Sequence, residues 1–392
     1  MSMSPLIDDE YVRAPARRIL AHLQEERTFG RPTVGIYCCY APLELIWAAG
    51  CVPVGLCATS RYPITAAETV LPAGLCPLIK SSFGFIMTET CPFYRISDVV
   101  VAETTCDGKK KMFELIADRK PTLVLELPQT PDEPASFERW LESVRRMKRF
   151  LESAFDRQVT DQVLEETLRL ANRRRSLIRE IAAYARFDPP LIGWDELKEI
   201  TALAGIFHGH DVIDLLRRAL VRLEKRRRNG PVDRMAGAPR VMVTGCPIGG
   251  DAEKVFQVIE ECGGAVVAQE ACSGLKPLWT DVEEETGDPL AAIARRYFEL
   301  PCSCMTPNTR RLEYIDRLIE VYRPDAVIDV ILSGCHAYNV ESHLVKTHVA
   351  ARHALPFLKI ETDYSEGDLG RLQTRIGALL EIAGTEKQEV RP

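Results

Sequence analysis

Short apolar runs alternate with helix-like segments through the first third of the chain. Runs of strand length lie at 33–40, 52–57, 98–105 and 122–127. The segments around them, at 9–26, 42–50, 71–88 and 109–119, have apolar residues at helical spacing. Strands that are apolar throughout and alternate with helices are typical of a parallel sheet covered on both faces. The pattern therefore predicts an N-terminal α/β domain over residues 1–132.

The pattern changes after residue 132 and then returns. Residues 133–227 are rich in Arg, Glu and Leu at helical spacing, and 226–239 has the Gly and Pro content of a linker. Strand-length apolar runs follow at 240–244, 265–270, 326–332 and 357–362, with helical segments between them. The sequence therefore predicts a helical insertion and linker over 133–239 and a C-terminal α/β domain over 240–392.

Cysteines fall at corresponding places in the two predicted α/β domains. The corresponding positions are Cys38 and Cys39 with Cys246, Cys57 with Cys272, Cys76 with Cys302 or Cys304, and Cys106 with Cys335. This recurrence is a weak internal repeat. Ligands of open parallel sheets bind beyond the carboxyl ends of the strands. The repeat therefore predicts a cleft that both domains share and that cysteines line.

The thirteen cysteines indicate metal or redox chemistry. The N-terminal segment lacks the basic and apolar regions of a secretory signal, so we expect a cytoplasmic protein with free thiols. Cys-x-x-Cys spacing, which zinc knuckles and ferredoxin clusters use, is absent, and the closest pairs are Cys38 with Cys39 and Cys302 with Cys304. An iron–sulfur cluster held by distant loops fits this spacing best, and zinc binding or simple core packing remain the alternatives.

Composition and motifs exclude several function classes. The chain has 46% hydrophobic residues, 27% charged residues and a net charge of −6, and no apolar run of membrane-spanning length. These values give no reason to expect nucleic acid or a membrane as partner. P-loop, GxGxxG and GxSxG signatures are absent.

The His208-Gly-His210 motif is interpreted as incidental. His336, beside Cys335, is the predicted catalytic proton donor, with a purely structural histidine as the alternative.

Three long segments resemble a known family. They are GIYCCYAPLELIWAAGCVPVGL, CPFYRISDVVVAETTCDGKKKMFELI and PFLKIETDYSEGDLGRLQTRIGALLE. The chain resembles the 2-hydroxyacyl-CoA dehydratase and benzoyl-CoA reductase subunit family over nearly its whole length. The resemblance implies two Rossmann-like domains with an iron–sulfur cluster in the cleft, a separate ATP-hydrolysing activator that supplies low-potential electrons, and a dimer, here a homodimer. It carries the role of cluster ligand onto Cys76, Cys106 and Cys335.

Further cysteines set this sequence apart from the dehydratase subunits of that family. They are Cys246, Cys272, Cys302 and Cys304. They resemble the branch of double-cubane cluster proteins, whose [8Fe–9S] centre joins two cubanes. The resemblance implies a second cubane on Cys272, Cys304 and one of Cys246 or Cys302, with Cys38 and Cys39 less favoured. It implies a reductase component that acts on a small unsaturated substrate. A dehydratase subunit with a single [4Fe–4S] cluster and an electron carrier without a substrate are the alternatives.

Overall fold

Two four-stranded parallel sheets organise the chain. The structure is a computed structural model that describes residues 15–206, 210–229 and 236–390. Its strands are β1 (Thr33–Ile36), β2 (Val52–Gly55), β3 (Val99–Glu103), β4 (Thr122–Leu125), β5 (Arg240–Gly245), β6 (Ala265–Gln269), β7 (Ala326–Leu332) and β8 (Phe357–Thr362). The strand orders are β2-β1-β3-β4 and β6-β5-β7-β8, and all pairings are parallel. The prediction of an α/β fold with two parallel sheets is confirmed, and the sheets share one topology.

Helices flank both sheets and occupy the sequence between them. Around the first sheet they are Pro15–Thr28, Leu43–Ala48, Ile64–Ala67, Pro77–Met87, Pro92–Ile96 and Asp107–Ala117. The middle helices are Pro134–Phe155, Asp161–Ala182, Trp194–Ile206 and His210–Arg228, with a 3-10 turn at Ala183–Arg186. Around the second sheet they are Lys254–Glu261, Pro289–Phe298, Thr309–Tyr322, His336–His353 and Leu369–Val390, with 3-10 turns at Gly250–Glu253 and Lys276–Leu278. Within the described ranges, no helix is long and apolar enough to cross a bilayer.

The central strands are buried on both faces. Every residue of β3, β5 and β7 is buried, whereas the outer strands β4 and β8 are partly exposed. Helices cover both faces of a parallel sheet, so a central strand needs apolar side chains on both sides. This is the physical reason for the continuous apolar runs in the sequence.

Several predicted boundaries are wrong by a few residues. β1 ends at Ile36 rather than residue 40, because the Ala41 amide donates to the Cys38 carbonyl at 3.4 Å and turns the chain. The helix predicted from residue 71 begins only at Pro77, since proline favours the first helical position. The helical pattern after the third strand of the C-terminal domain predicts a helix over 340–352, and that helix begins at His336. Strand β2 likewise ends at Gly55, ahead of Cys57.

The His208-Gly-His210 motif contributes no structural finding. His208 and residue 209 lie outside the described residues, and His210 is described only as the backbone start of a helix. The predicted linker is likewise described only in part, because residues 230–235 fall outside the described ranges.

A buried carboxylate joins three parts of the chain. Glu44, in the helix after β1, accepts hydrogen bonds from Arg175 Nη1 at 2.6 Å and from the Tyr297 hydroxyl at 2.7 Å. Arg175 belongs to the middle helices and Tyr297 to the C-terminal half. Burial opposes the negative charge of Glu44, but Arg175 and Arg296 outweigh it and lower the pKa of Glu44 to about 2. The ionised carboxylate therefore holds both halves and the middle helices together.

Loops at the carboxyl ends of the two sheets also touch. Gly334 has a left-handed φ of 76°, and a Cβ there would lie 2.6 Å from the Gly74 carbonyl oxygen. The Asp251 amide donates to the Thr59 carbonyl at 2.9 Å, and Asp251 Oδ2 accepts from the Arg61 amide at 2.6 Å. The carboxyl edges of the two sheets therefore face each other across backbone contacts.

We predict that Glu44→Gln destabilises the protein by about 3–5 kcal/mol, because Arg175 would stay buried without its countercharge. The native carboxyl has a pKa below its usual value of 4.5. Its stabilisation is therefore complete above pH 4.5 and is lost as the pH falls toward about 2. The variant should lack this part of the acid sensitivity. Thermal unfolding followed by circular dichroism at neutral and acid pH measures both effects.

Glu142→Gln is the matched control. Glu142 Oε1 accepts from Arg149 Nη2 at the same distance of 2.6 Å, but both side chains are exposed. Water screens such a pair, so the midpoint should hardly change. Equal losses in the two variants would contradict the role given to the buried carboxylate.

Gly334→Ala should destabilise the protein by more than the roughly 1–2 kcal/mol that a left-handed alanine costs by itself, because its Cβ also meets backbone. Gly30→Ala isolates the conformational cost, since Gly30 has a φ of 75° and open space around the added Cβ. The two thermal midpoints are compared with that of the wild type. If G30A lowers the midpoint as much as G334A, the contact between the loops carries no stability.

Candidate functional site: a cleft lined by thiols

Cysteines gather at the carboxyl ends of both sheets. In each sheet the chain order reverses between the two central strands, β1 with β3 and β5 with β7. Cys38 and Cys39 follow β1, Cys106 follows β3, Cys246 follows β5 and Cys335 comes three residues after β7. Open α/β sheets bind ligands at this switch point. Thiols therefore mark the ligand-binding edge of each sheet.

Three of the predicted ligands share one local position. Cys76, Cys106 and Cys335 are each the residue just before the first residue of a helix. Cys106 Sγ accepts a hydrogen bond from the Lys109 amide at 3.4 Å. The free amides and the dipole of a helix N-terminus stabilise a thiolate or another anion. The backbone amides therefore favour the thiolate form, although burial outweighs them at Cys76 and Cys106 and raises the pKa of both thiols.

Six thiols lie in three neighbouring pairs, and within each pair one thiol affects the ionisation of the other. The pairs are Cys38 with Cys39, Cys302 with Cys304, and Cys335 with Cys246. The hydrogen bond from the partner thiol lowers the pKa of Cys38 to about 6 and that of Cys302 to about 5. A hydrogen bond from Cys246 lowers the pKa of Cys335 as well. Each pair therefore contains one sulfur that ionises readily.

The thiols fall into two groups that adjoin. The first thiol group comprises Cys76, Cys106, Cys246 and Cys335, and the second thiol group comprises Cys38, Cys39, Cys272, Cys302 and Cys304. Burial, followed by the neighbouring Cys335, raises the pKa of Cys76 to about 12. In the second group, Cys39 Sγ lies 3.5 Å from Cys272 Sγ. The charge of Cys302 also reaches Cys106 and Cys335, so the groups form one continuous site.

A lysine and a buried acid lie beside the second thiol group. Lys109 Nζ donates to the Tyr37 carbonyl at 3.0 Å. Burial opposes the charge of Lys109, but Cys57 and Cys38 outweigh it and raise its pKa well above the usual value. Burial and then Cys38 raise the pKa of Glu103 well above its usual value. In the part of the chain described, no side chain donates to either Glu103 oxygen. The site therefore contains a buried cation and a buried carboxyl group that holds its proton more tightly than usual.

A second buried cation lies beside Cys302. Lys276 Nζ is 2.8 Å from Glu270 Oε1 and donates to the Tyr338 hydroxyl at 3.1 Å. Burial opposes the charge on Lys276, but Glu270 and Cys272 raise its pKa. Its positive charge in turn favours the thiolate of Cys302. Lys276 therefore provides a positive charge that offsets the negative charge of thiolates in this site.

Sequence reasoning passed over Lys276, Glu270 and Tyr338, and it gave Glu103 and Lys109 no role. One signal could have found the two acids. Glu103 ends the apolar strand β3, and Glu270 directly follows the apolar strand β6. Both are fully buried. Burying an ionisable side chain at the end of a strand costs free energy unless the side chain is paired with an opposite charge or is uncharged. Such a residue is therefore a candidate for a functional site.

The remaining cysteines and His336 lie in different surroundings. Cys57 Sγ donates to the Tyr37 carbonyl at 2.8 Å, beside the second thiol group. Cys51 and Cys262 are directed toward backbone carbonyls, and Cys91 Sγ accepts from a backbone amide at 3.3 Å. His336 is exposed at the start of the helix that follows Cys335.

The set of donor atoms fits a metal centre with sulfur ligands. All thirteen cysteines are free thiols, and nine of them make up the two thiol groups. Soft thiolates select iron–sulfur clusters, zinc or copper(I) rather than hard cations. Lys109, Lys276 and the helix N-termini supply the positive potential that such a centre needs. The residues present therefore fit an iron–sulfur cluster.

Comparison with known proteins connects the cleft to one family. The chain is 41% identical to a provisionally named dehydratase subunit, YjiM, of Escherichia coli (strain K12), over 96% of this chain and 98% of that protein. It is 22% identical to the (R)-phenyllactyl-CoA dehydratase beta subunit of Clostridium sporogenes, over 95% and 96% of the two chains. It is 22% identical to the (R)-2-hydroxyglutaryl-CoA dehydratase subunit beta of Acidaminococcus fermentans, over 97% and 100%.

The family described as 2-hydroxyglutaryl-CoA dehydratase, D-component, matches residues 38–383. This range includes every strand except β1, which ends two residues before it, and all the thiols of the cleft. The resemblance noted in the sequence is thereby confirmed at the level of the family. With its two parallel sheets and its thiol-lined cleft, the chain belongs to the 2-hydroxyglutaryl-CoA dehydratase D-component family.

Proposed function

We propose that this chain is a cytoplasmic iron–sulfur reductase component that holds a double-cubane [8Fe–9S] cluster. The carrying observation is the presence of two adjoining thiol groups, where one cubane would need only the first. The three predicted parts, 1–132, 133–239 and 240–392, then act as two cluster-holding domains and a connecting helical region. The contacts of Glu44 with Arg175 and Tyr297 support this arrangement.

The ligand sets follow the two thiol groups. Cys76, Cys106 and Cys335 hold the first cubane, supported by their common position at helix N-termini. Cys272, Cys302 and Cys304 hold the second cubane. The sequence left Cys246 and Cys302 as alternatives for it, and the pairing of Cys302 with Cys304 favours Cys302. Cys246 neighbours Cys335 instead, which supports a position for it beside the proposed first cubane.

Cys38 and Cys39 lie within the second thiol group and are further candidate ligands of the second cubane. Cys39 Sγ is 3.5 Å from Cys272 Sγ, and Cys38 is close enough to Cys304 to raise its pKa. Both follow β1, whose counterpart β5 is followed by Cys246. The second cubane therefore has more thiols within reach than it needs.

When bound, the cluster would supply low-potential electrons to a small unsaturated substrate. The chain's own residues bind the cluster, keep water from its buried face and balance its charge through Lys109 and Lys276. Glu103 stores a proton beside the second thiol group, and exposed His336 is the proposed proton donor from solvent. The electrons come from a separate ATP-hydrolysing activator, and two copies of the chain form a homodimer.

A dehydratase subunit with one [4Fe–4S] cluster is the second candidate. The names of the relatives favour it, since two of them are beta subunits of 2-hydroxyacyl-CoA dehydratases. This function requires an unlike partner subunit and leaves the second thiol group without a cluster. The two candidates therefore differ in iron content and in subunit composition. An electron carrier without a substrate remains distinct from both, because it would show redox activity without turnover.

Iron and acid-labile sulfide per chain separate the candidates. Anaerobically purified protein should contain about eight irons and about nine sulfides if the double cubane is present. About four irons would favour the dehydratase subunit, and zinc or no metal would overturn both. Size-exclusion chromatography of the same sample reports the number of chains.

Cys106→Ser should lower the iron content by about half or more, because serine removes a thiolate ligand while it preserves the cap of the helix. Cys91→Ser is the matched control, since Cys91 also precedes a helix and accepts a backbone amide at 3.3 Å, against 3.4 Å for Cys106. C91S should keep the wild-type iron content. Equal iron in C106S and wild type would remove Cys106 from the ligand set.

A further inference from the structure

A cluster of metal-binding side chains lies outside the thiol cleft. Asp316 is on the helix Thr309–Tyr322, and His348 and His353 are on the helix His336–His353. Their ligand atoms all lie within 4.8 Å of one another. Along the chain, one of these helices precedes strand β7 and the other follows it. The three side chains therefore connect two helices that are separated in sequence by a central strand.

The two imidazoles converge on one oxygen. His348 Nε2 is 2.7 Å and His353 Nε2 is 2.6 Å from Asp316 Oδ1. The other oxygen, Oδ2, faces Arg352 Nε at 3.1 Å. Arg352 has a side-chain exposure of 61%, so it can turn toward water without leaving a buried charge behind. Oδ1 and the two ring nitrogens therefore form one compact group of possible ligand atoms.

We infer that Asp316, His348 and His353 bind a divalent first-row transition-metal ion of the zinc class. Two imidazoles and one carboxylate are a common ligand set for such ions and leave a fourth position for water. Zinc bonds of about 2.0–2.1 Å place tetrahedral ligand atoms about 3.3 Å apart. The distances of His348 Nε2 and His353 Nε2 from Oδ1, now 2.7 Å and 2.6 Å, would therefore grow by about 0.6–0.7 Å. Side-chain exposures of 11%, 21% and 13% leave the site accessible to an ion from solvent.

The backbone holds the ligands in place. His353 is the last residue of its helix, and the next residue, Ala354, has a left-handed φ of 52° that stops the helix there. Asp316 lies in the middle of its own helix and is largely buried. A bound ion would join the two helices at this point. It would act as a brace of the second sheet rather than as a centre for redox chemistry.

This metal site is independent of the thiol cleft. Cys335 caps the N-terminus of the helix that carries His348 and His353. His348 is 13 residues further along that helix, or roughly 20 Å at 1.5 Å per residue. The cysteine ligands proposed above therefore lie at the opposite end of the helix. The metal site does not depend on the cluster type or on the proposed function.

Zinc binding to the protein as purified anaerobically tests the inference. Zinc is added in excess and removed by desalting, and the metal that remains is counted by mass spectrometry. His343→Ala is the matched control, because His343 is an exposed histidine of the same helix outside the cluster. Wild type and H343A should retain one zinc per chain more than His348→Gln and His353→Gln. Zinc should raise the thermal midpoint of the first two proteins and leave that of the glutamine variants unchanged.

Glutamine separates a metal site from a hydrogen-bond network. Its side-chain amide can still donate to Asp316, but it is a poor zinc ligand. Free thiols elsewhere in the chain also bind zinc, and X-ray absorption of the wild type distinguishes them, with nitrogen and oxygen at about 2.0–2.1 Å against sulfur at about 2.3 Å. Equal zinc in wild type and H348Q overturns the inference. So does a wild-type spectrum that contains sulfur ligands alone, and this measurement needs no variant to fold.

Discussion

The relative position of the two sheets depends on the burial of one carboxylate, Glu44. A lone buried carboxylate is prohibitively costly, so Glu44 requires Arg175 and the Tyr297 hydroxyl beside it. These partners come from the middle helices and from the C-terminal half. The buried contact therefore requires all three parts of the chain. The cleft exists only in the assembled chain.

Facing the carboxyl ends of two parallel sheets toward each other concentrates negative charge. Thiols from both sheets meet there, and helix N-termini at Cys76, Cys106 and Cys335 lower the cost of ionising them. Lys109 and Lys276 add buried positive charge at the same place. The protein has thus arranged local dipoles and side-chain charges for an anionic centre with sulfur ligands.

One helix of the C-terminal half contributes to two separate sites, one at each of its ends. The thiol cleft uses the amino end of the helix His336–His353, where Cys335 is the cap. The cluster of Asp316, His348 and His353 uses its carboxyl end. One helix therefore carries soft sulfur at one end and nitrogen and oxygen donors at the other, and these donor sets select different metals. The buried network of Lys276 and Glu270 belongs to the first of these ends, through Tyr338.

The sequence by itself determined the strands, the helices and the recurrence of cysteines after corresponding strands. Apolar runs and proline positions act over a few residues, so they can be read without knowledge of distant contacts. Even there, the ends of β1 and β2 and the start at Pro77 were misplaced, because turns such as that at Cys38 and Ala41 are set by backbone hydrogen bonds. Only the tertiary structure decided that Cys246 pairs with Cys335, that Arg175 meets Glu44, and that His348 and His353 meet Asp316. These partners are far apart in sequence, and their approach is fixed by helix packing against the sheets, which no local pattern encodes.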